Sequence, residues 1–323
     1  MSKLKWRSAT PVRFSRYSSR AFTLVEMLVV VAIIGILIGL LFPALSAVRQ
    51  AARKSYCSAN MRQVILATLT YESSVLAFPA GVNEDGGSVI VALLPYLKQE
   101  YLAQLAASDL VAGQTYNDLL VEMTELELEV LVCPSSNFTD SKANIADTGD
   151  FASHYYGIAG PTGMATASDN SNVYNYKEYS PVSASGPIGL QGLFSPNSRG
   201  VFEERKLTEI RDGASYTFGF GEVAGYDEIP GRIKRAGWSF GVERDSMDRP
   251  VTTCGLKSVA HRINSNDGEL NVQSFSSSHP GGVQFALIDG AIRFVDQRVS
   301  VDVLKTFCSI DQVEKPERLE DGF

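Results

Sequence analysis

One stretch decides the architecture of this chain: Arg20-Ala21-Phe22-Thr23-Leu24-Val25-Glu26, followed by Met27 to Val48, a run of 22 residues without a charge. As a helix, the uncharged run would span about 33 Å, and the hydrocarbon core of a bilayer is about 30 Å thick. The run is rich in Val, Ile and Leu. It therefore predicts a helix that is long and apolar enough to cross a membrane.

The charge around this stretch is asymmetric. Residues 1–21 carry no acidic side chain and six basic ones: Lys3, Lys5, Arg7, Arg13, Arg16 and Arg20. Because basic residues stay on the cytoplasmic side, this pattern predicts a cytoplasmic N-terminus and an exported C-terminal part. Without the six, 23 basic residues face 36 acidic ones, a net charge of −13. An acidic body repels nucleic acid, so we expect no DNA or RNA partner.

Three interpretations of the N-terminal segment compete. A cleaved secretory signal peptide has an apolar region of about 7–15 residues that ends at a small-residue site. This run is longer, and Ala44-Leu45-Ser46 is a weak site. A plain membrane anchor leaves Glu26 unexplained, since a carboxylate within a membrane helix costs on the order of 2.5–3.5 kcal/mol and usually marks a function. If the segment is only an anchor, the Glu26 side chain would simply extend to the lipid headgroups, and Glu26 by itself does not decide against this interpretation.

The third interpretation accounts for all of these features. The stretch from Arg20 onward resembles the prepilin-type cleavage and methylation signal of type IV pilins and type II secretion pseudopilins. The resemblance implies that a prepilin peptidase cuts between Ala21 and Phe22 and methylates the new amine of Phe22. It also implies that Glu26 pairs with the N-terminal amine of a neighbouring subunit. Pro43 fits, because family helices carry a proline near this depth; Ala21 departs from the usual Gly, although both are small.

Further patches resemble the bacterial family of pilin-leader proteins called domain of unknown function 1559. In chain order they are Cys57-Ser58-Ala59-Asn60-Met61-Arg62-Gln63, Phe78-Pro79-Ala80-Gly81, Leu93-Leu94-Pro95-Tyr96-Leu97, Cys133-Pro134-Ser135, Ile210-Arg211-Asp212-Gly213-Ala214-Ser215 with Glu222, and His279-Pro280-Gly281-Gly282 with Asp289-Gly290. The departures are mild: members usually have Thr at Ala214 and Asn at Tyr216. This resemblance implies a pseudopilin-like α+β body and supplies no activity.

We expect three parts: a leader over 1–21, a long helix over 22–76 whose part 27–48 crosses the membrane, and an exported globular domain over 77–323. The second half of the helix has one apolar face at helical spacing, formed by Cys57, Met61, Val64, Ile65, Thr68 and Leu69. The expected fold is α+β and pilin-like. One half of the helix lies in the membrane or a filament, and the other half packs on an antiparallel β-sheet.

Local patterns predict several elements of the globular domain. Ser88 to Leu105 is amphipathic and predicts a second helix, with Pro95 a complication. Leu126 to Val132 alternates apolar and acidic residues, which favours a half-buried strand, with helix as the alternative. We expect loops and short strands over Asp147 to Gly200, a turn at Asp212-Gly213, and strands over Tyr216 to Val223 and Trp238 to Val242.

The strongest local signal is a hairpin near the end of the chain. Two apolar runs, 282–288 and 291–295, flank Asp289-Gly290, and Gly tolerates the positive φ of a tight turn. His279, Gly281 and Gly282 lie at the entry of this hairpin. We expect a structural hydrogen bond from His279 rather than a catalytic or ligand role.

The four cysteines, Cys57, Cys133, Cys254 and Cys308, allow three disulfide pairings. None stands in a CxxC or CxxH pattern, so we expect no metal site. Cys57 and Cys133 form either a disulfide that ties the long helix to the sheet or two buried thiols, and Cys254 with Cys308 is then the remaining pair. We expect no cofactor; a Ca²⁺ site built from loop carboxylates such as Asp212 and Asp289 is an alternative without EF-hand spacing.

The sequence favours a structural subunit that assembles in a pilin-like or pseudopilin-like system. Its expected partners are the prepilin peptidase, the bacterial inner membrane and other pilin-like subunits, as a single-pass protein or in a surface filament. The alternative is a membrane-tethered module whose Tyr-, Asn- and Ser-rich loops bind glycans or secreted substrates. We expect no enzyme, because no GxSxG, HExxH, P-loop or dinucleotide-binding motif is present.

Overall fold

The structure, a computed structural model, describes residues 23–108, 110, 114–136, 153–166, 173–180, 186–223, 237–244, 250–265 and 274–311. The chain forms two compact units, Met1–Arg49 and Gln50–Phe323. The predicted leader and both residues of the predicted cleavage site, Ala21 and Phe22, lie outside the described residues.

Helix α1 spans Leu24–Val75 and contributes to both units. In the first unit, its large apolar side chains are exposed from Leu24 to Val48. Its length and composition suffice for a membrane span. Pro43 lies inside the helix, where it removes one backbone hydrogen bond. Such a surface is not stable in water, so it needs lipid or other apolar helices around it.

In the second unit, α1 buries one face. Cys57, Met61, Val64, Ile65 and Thr68 are buried, and the Thr68 hydroxyl donates to the Val64 carbonyl at 3.0 Å. The predicted apolar face is confirmed, with Leu69 partly buried against it. The helix ends where Leu76 adopts a positive φ of 65°.

Short helices follow: α2 (Val89–Leu93), α3 (Glu100–Ala106), α4 (Tyr116–Thr124) and a 3-10 helix at Glu129–Leu131. The single helix predicted from Ser88 to Leu105 is wrong, because α2 and α3 are separate. Pro95 follows directly after α2 and its cap, and Lys98 has a positive φ of 60°. Proline cannot donate the backbone hydrogen bond that a continuous helix requires.

The predicted strand from Leu126 to Val132 is also wrong. Thr115 and Asp118 form a capping box that starts α4, which ends at Thr124. Within the predicted strand, Glu129–Leu131 form the 3-10 helix. Leu128 and Leu131, three residues apart, are buried, whereas Leu126 is exposed. Burial therefore follows a helical spacing that the alternating sequence did not reveal.

The central sheet has five strands in the order β11-β10-β6-β1-β9. The eleven strands assigned in the described residues are β1 (Tyr155–Pro161), β2 (Met164–Thr166), β3 (Val173–Asn175), β4 (Glu178–Tyr179), β5 (Ile188–Gly189), β6 (Phe218–Glu222), β7 (Val242–Arg244), β8 (Pro250–Thr253), β9 (Leu256–Val259), β10 (Gly282–Leu287) and β11 (Ile292–Asp296). The α+β fold class is confirmed. The sheet is mixed rather than antiparallel throughout, because β1 pairs with β9 in parallel.

Three two-stranded sheets accompany the central one: β2 with β3, β4 with β5, and β7 with β8. A last helix, α5, spans Val301–Phe307. The core has two clusters. One contains Met61 and Ile65 of α1, and the other contains Leu304 and Cys308 at the end of the described chain.

The remaining local predictions have mixed outcomes. The hairpin is confirmed as β10 and β11, the strand at Tyr216 to Val223 as β6, and short strands do occur in the described parts of 147–200. Asp212-Gly213 forms a turn, with a φ of +91° at Gly213. The strand predicted over Trp238 to Val242 is wrong. Phe240 makes only an isolated bridge to Gly87, and β7 begins at Val242.

We expect Gly221→Ala to lower the free energy of unfolding by about 1–3 kcal/mol, because the added methyl overpacks the core. A Cβ at Gly221 would lie 2.5 Å from two ring atoms of Phe275 and 2.8 Å from Phe285. Urea denaturation of the detergent-solubilised full chain, followed by fluorescence of the buried Trp238, measures this effect.

The matched control is Gly219→Ala in the same strand. Its Cβ would meet Ile65 at an ordinary 3.4 Å. We expect its stability to stay within about 1 kcal/mol of the original. Equal effects of both substitutions would contradict the packing around β6.

Candidate functional site

The start of α1 holds Glu26 in a reciprocal set of hydrogen bonds with Thr23. The Thr23 backbone N–H and hydroxyl each donate to Glu26 Oε2 at 2.8 Å, and the Glu26 N–H donates to Thr23 Oγ1 at 3.3 Å. This arrangement is a capping box, which satisfies backbone donors that have no partner within the helix. Glu26 therefore has a local role within its own chain, in addition to the assembly role that the sequence predicts.

A disulfide joins Cys57 of α1 to Cys133, which lies 76 residues later and just beyond the 3-10 helix. The two Cα atoms are 5.0 Å apart. Two hydrogen bonds support this connection: Asn60 Nδ2 donates to the Val132 carbonyl at 3.0 Å, and the Cys133 N–H donates to His154 Nδ1 at 2.8 Å. Of the two alternatives for this cysteine pair, the structure has the disulfide.

The second expected disulfide is not formed. Cys254 and Cys308 are both buried thiols in the structure. The Cys254 Sγ lies 3.9 Å from the Thr252 carbonyl oxygen, in hydrogen-bonding orientation. Cys308 packs in the cluster that contains Leu304, and burial raises the pKa of its thiol. The pairing expected by elimination is therefore wrong, because both cysteines remain thiols.

Two ionisable side chains lie beside the disulfide. Glu222 is the last residue of β6, and His279 precedes β10. His279 Nε2 is 3.5 Å from Glu222 Oε1 and 3.6 Å from Cys133 Sγ. All four side chains are buried, and one ligand-type atom from each lies within 4.8 Å of the others. We call Cys57, Cys133, Glu222 and His279 the buried cluster.

The carboxylate of the buried cluster is poorly compensated. Glu222 is 0% exposed, and neither of its oxygens has a hydrogen-bond partner among the described residues. Its neighbour Tyr155 donates its hydroxyl to the Cys57 carbonyl at 3.2 Å instead. Burial raises the pKa of Tyr155 well above its ordinary value, and the charge of Glu222 raises it further. A buried carboxylate in this setting requires a nearby positive charge or a proton.

The residues at the hairpin have the structural roles expected for turns. Gly281 and Gly290 have positive φ angles of 88° and 91°, and the Ala291 N–H donates to Asp289 Oδ1 at 2.9 Å. A Cβ at Gly282 would collide with the carbonyl oxygen of Val295 in the paired strand. Asp289 is thus a turn-forming residue here, and the Ca²⁺ alternative stays a prediction.

The buried cluster is not predictable from residue spacing, which favours a structural role for His279 and no metal site. The four residues are spread over 57–279 and share no spacing pattern, so only the fold brings them together. One sequence signal could have found them. Each of the four belongs to a patch that resembles the family discussed above.

Comparison with known proteins agrees with both resemblances. A family model described as "Protein of unknown function (DUF1559)" matches residues 46–302. A second model, described as "Prokaryotic N-terminal methylation motif", matches residues 16–42. The searches of curated proteins and of solved structures found no match.

We expect reduction of the metal-free chain to lower its free energy of unfolding by about 2–4 kcal/mol, because the closed loop no longer restricts the unfolded state. Urea denaturation in chelator, with and without a phosphine reductant, measures the effect. A Cys57→Ala/Cys133→Ala double variant should be insensitive to the reductant.

Cys254→Ala is the control, since it removes a buried thiol and leaves the disulfide in place. Its stability should remain sensitive to the reductant. The disulfide assignment is wrong if the wild-type chain shows no response to reduction.

Proposed function

Because this chain belongs to the family described as protein of unknown function (DUF1559) and carries a prokaryotic N-terminal methylation motif, we propose that it is an assembly subunit of a pilin-like or type II secretion pseudopilin-like system. The methylation motif indicates a type IV pilin-like or pseudopilin-like protein that is processed as a prepilin. Neither family description names an enzymatic activity.

The observation that carries the proposal is the position of the methylation motif over 16–42, which includes Ala21, Phe22 and Glu26. In the proposed processing, a prepilin peptidase cuts between Ala21 and Phe22 and methylates the amine of Phe22. The mature chain then begins four residues before Glu26, directly ahead of the described start of α1.

The exposed apolar side chains of α1 support the same proposal. From Leu24 to Val48 they have no cover within the described chain. Two environments can supply it: the bilayer, in which the helix anchors the protein, or the helices of other subunits in a filament core. The six basic residues of 1–21 favour a cytoplasmic leader and therefore an extracytoplasmic body at the inner membrane.

Transfer from bilayer to filament would place Glu26 among apolar helices. A carboxylate buried there needs an opposite charge, and breaking a buried ion pair costs about 3–5 kcal/mol. The methylated amine of Phe22 in a neighbouring subunit supplies such a charge. Its pairing with Glu26 would fix the axial register of one subunit against the next. The binding-module alternative is not favoured, because neither family match supports it.

The experiment separates the charge of Glu26 from its capping role. Glu26→Gln keeps an acceptor oxygen for the Thr23 donors, whereas Glu26→Ala loses both the acceptor and the charge. If Glu26 pairs with an amine, both variants should lose assembly more than about 100-fold, as expected for a lost partner of a buried pair. Immunoblots of sheared surface fractions measure assembly, and the size of the membrane-bound band measures cleavage.

The matched control is Glu72→Gln, which changes the other acidic residue of α1. It should assemble normally, and all three variants should be cleaved normally. Normal assembly of Glu26→Gln with loss in Glu26→Ala would show that Glu26 acts as a helix cap, and the proposed pairing would be wrong.

A further inference from the structure

We propose that the buried cluster binds a divalent transition-metal ion of the zinc class when the Cys57–Cys133 disulfide is reduced. This site is independent of the assembly role proposed above. The ligands would be the Sγ atoms of Cys57 and Cys133, Nε2 of His279 and one carboxylate oxygen of Glu222.

The distances fit a tetrahedral ion. Zinc binds sulfur at about 2.3 Å and nitrogen or oxygen at about 2.0–2.2 Å, which places ligand atoms about 3.3–3.8 Å from each other. The distance from His279 Nε2 to Cys133 Sγ is 3.6 Å, and that to Glu222 Oε1 is 3.5 Å. Both are edges of the expected tetrahedron. The other ligand atoms lie within 4.8 Å of one another, and the two bonded sulfur atoms separate when their bond breaks.

The donor set selects the class of metal. Thiolate and imidazole favour zinc and related ions, whereas Ca²⁺ and Mg²⁺ require six or more oxygen ligands. Two thiolates and one carboxylate carry three negative charges. A bound divalent cation would reduce the net charge of the site to −1. The cluster supplies one carboxylate, which falls short of the six or more oxygen ligands that Ca²⁺ and Mg²⁺ take.

Glu222 supplies an independent reason to expect a cation. It is fully buried, and both of its oxygens lack a hydrogen-bond partner among the described residues. A carboxylate in this state is costly unless a positive charge compensates it. His279 lies 3.5 Å away, beyond the distance of a strong charged hydrogen bond. A metal ion between Glu222, His279 and the sulfur atoms would compensate the charge directly.

Neighbouring groups hold the ligands in position. His154 Nδ1 accepts the Cys133 N–H, and the Tyr155 hydroxyl donates to the Cys57 carbonyl. The backbone of His279 donates to the Ser277 hydroxyl at 2.9 Å. These hydrogen bonds hold the backbones of three ligand residues in place before the ion arrives. The ligand backbones therefore need little movement when the disulfide opens.

The conversion between the disulfide state and the reduced, zinc-bound state conserves atoms and electrons. A dithiol reductant transfers two electrons and two protons to the disulfide, so that Cys57 and Cys133 become thiols and the reductant becomes a disulfide. Zn²⁺ then binds both sulfur atoms and displaces the two thiol protons. Oxidation of the thiolates by a disulfide oxidant reforms the S–S bond and releases the ion. In either state, α1 is linked to the segment that follows the 3-10 helix.

The test uses the full chain in detergent. It is reduced with a phosphine, stripped with a chelator, freed of both and supplied with ZnSO₄ under anaerobic conditions. We expect one tightly bound Zn²⁺ per chain by elemental analysis, and a rise in the thermal midpoint of the reduced chain. The oxidised chain should bind no stoichiometric zinc. With Co²⁺ in place of Zn²⁺, thiolate-to-cobalt charge-transfer bands and the visible bands of a tetrahedral ion should appear.

Substitutions assign the ligands. Glu222→Gln and His279→Gln should each weaken zinc binding at least about 100-fold, since even the loss of a group that only hydrogen-bonds a ligand costs about 10–100-fold. Cys254→Ser, which changes a buried thiol outside the cluster, should bind zinc as the wild type does. The disulfide of each oxidised variant, verified by mass, shows that its fold is retained.

The wild-type cobalt spectrum decides the proposal even where a variant does not fold. An octahedral spectrum without thiolate bands, or reduced wild-type chain without bound zinc, would overturn it. Unchanged zinc affinity in a folded His279→Gln variant would also do so.

Discussion

The apolar surface of α1 must be covered, and this requirement is the constraint on which the protein depends. The globular unit covers one face of the helix from Cys57 to Thr68 with its own core. The side chains from Leu24 to Val48 have no such cover within the described chain. Cover must therefore come from lipid or from other apolar helices, and the proposed assembly role requires the helix to move from the first environment to the second. The same constraint gives Glu26 its importance, because a lone carboxylate among apolar helices needs a partner charge.

The capping box with Thr23 adds a physical detail to that picture. Glu26 satisfies donors at the start of its own helix, so its carboxylate has hydrogen bonds without a partner chain. Pairing with an amine would then compete with, or add to, the bonds from Thr23.

The globular unit contains a comparable polar feature in its interior. There the Cys57–Cys133 disulfide fixes α1 to the rest of the unit, and Glu222 and His279 lie against it. Glu222 differs from Glu26 in that neither of its oxygens has a hydrogen-bond partner among the described residues.

Much of the architecture is predictable from the sequence because it depends on local patterns. The apolar run, the buried face of α1 and the hairpin around Asp289-Gly290 follow from spacing and turn chemistry. The parallel pairing of β1 with β9 and the buried cluster depend on contacts between distant segments, which no local pattern encodes.

The strand predicted from Leu126 to Val132 failed for a related reason. The alternating pattern predicts burial of every second residue. In the structure, Leu128 and Leu131, three residues apart, are buried in the core instead. The cysteine pairing is an intermediate case. The sequence leaves a Cys57–Cys133 disulfide as one of two alternatives, and only the fold shows that it forms.

Intact-mass analysis of the mature, membrane-extracted chain tests the central claim most directly. A processed prepilin should have lost residues 1–21, and its new terminus should be Phe22 with one methyl group on the amine. A chain that retains residues 1–21, or one that starts beyond Pro43, would contradict the account. In the first case Glu26 would have no N-terminal amine nearby, and in the second the apolar helix that requires cover would be gone.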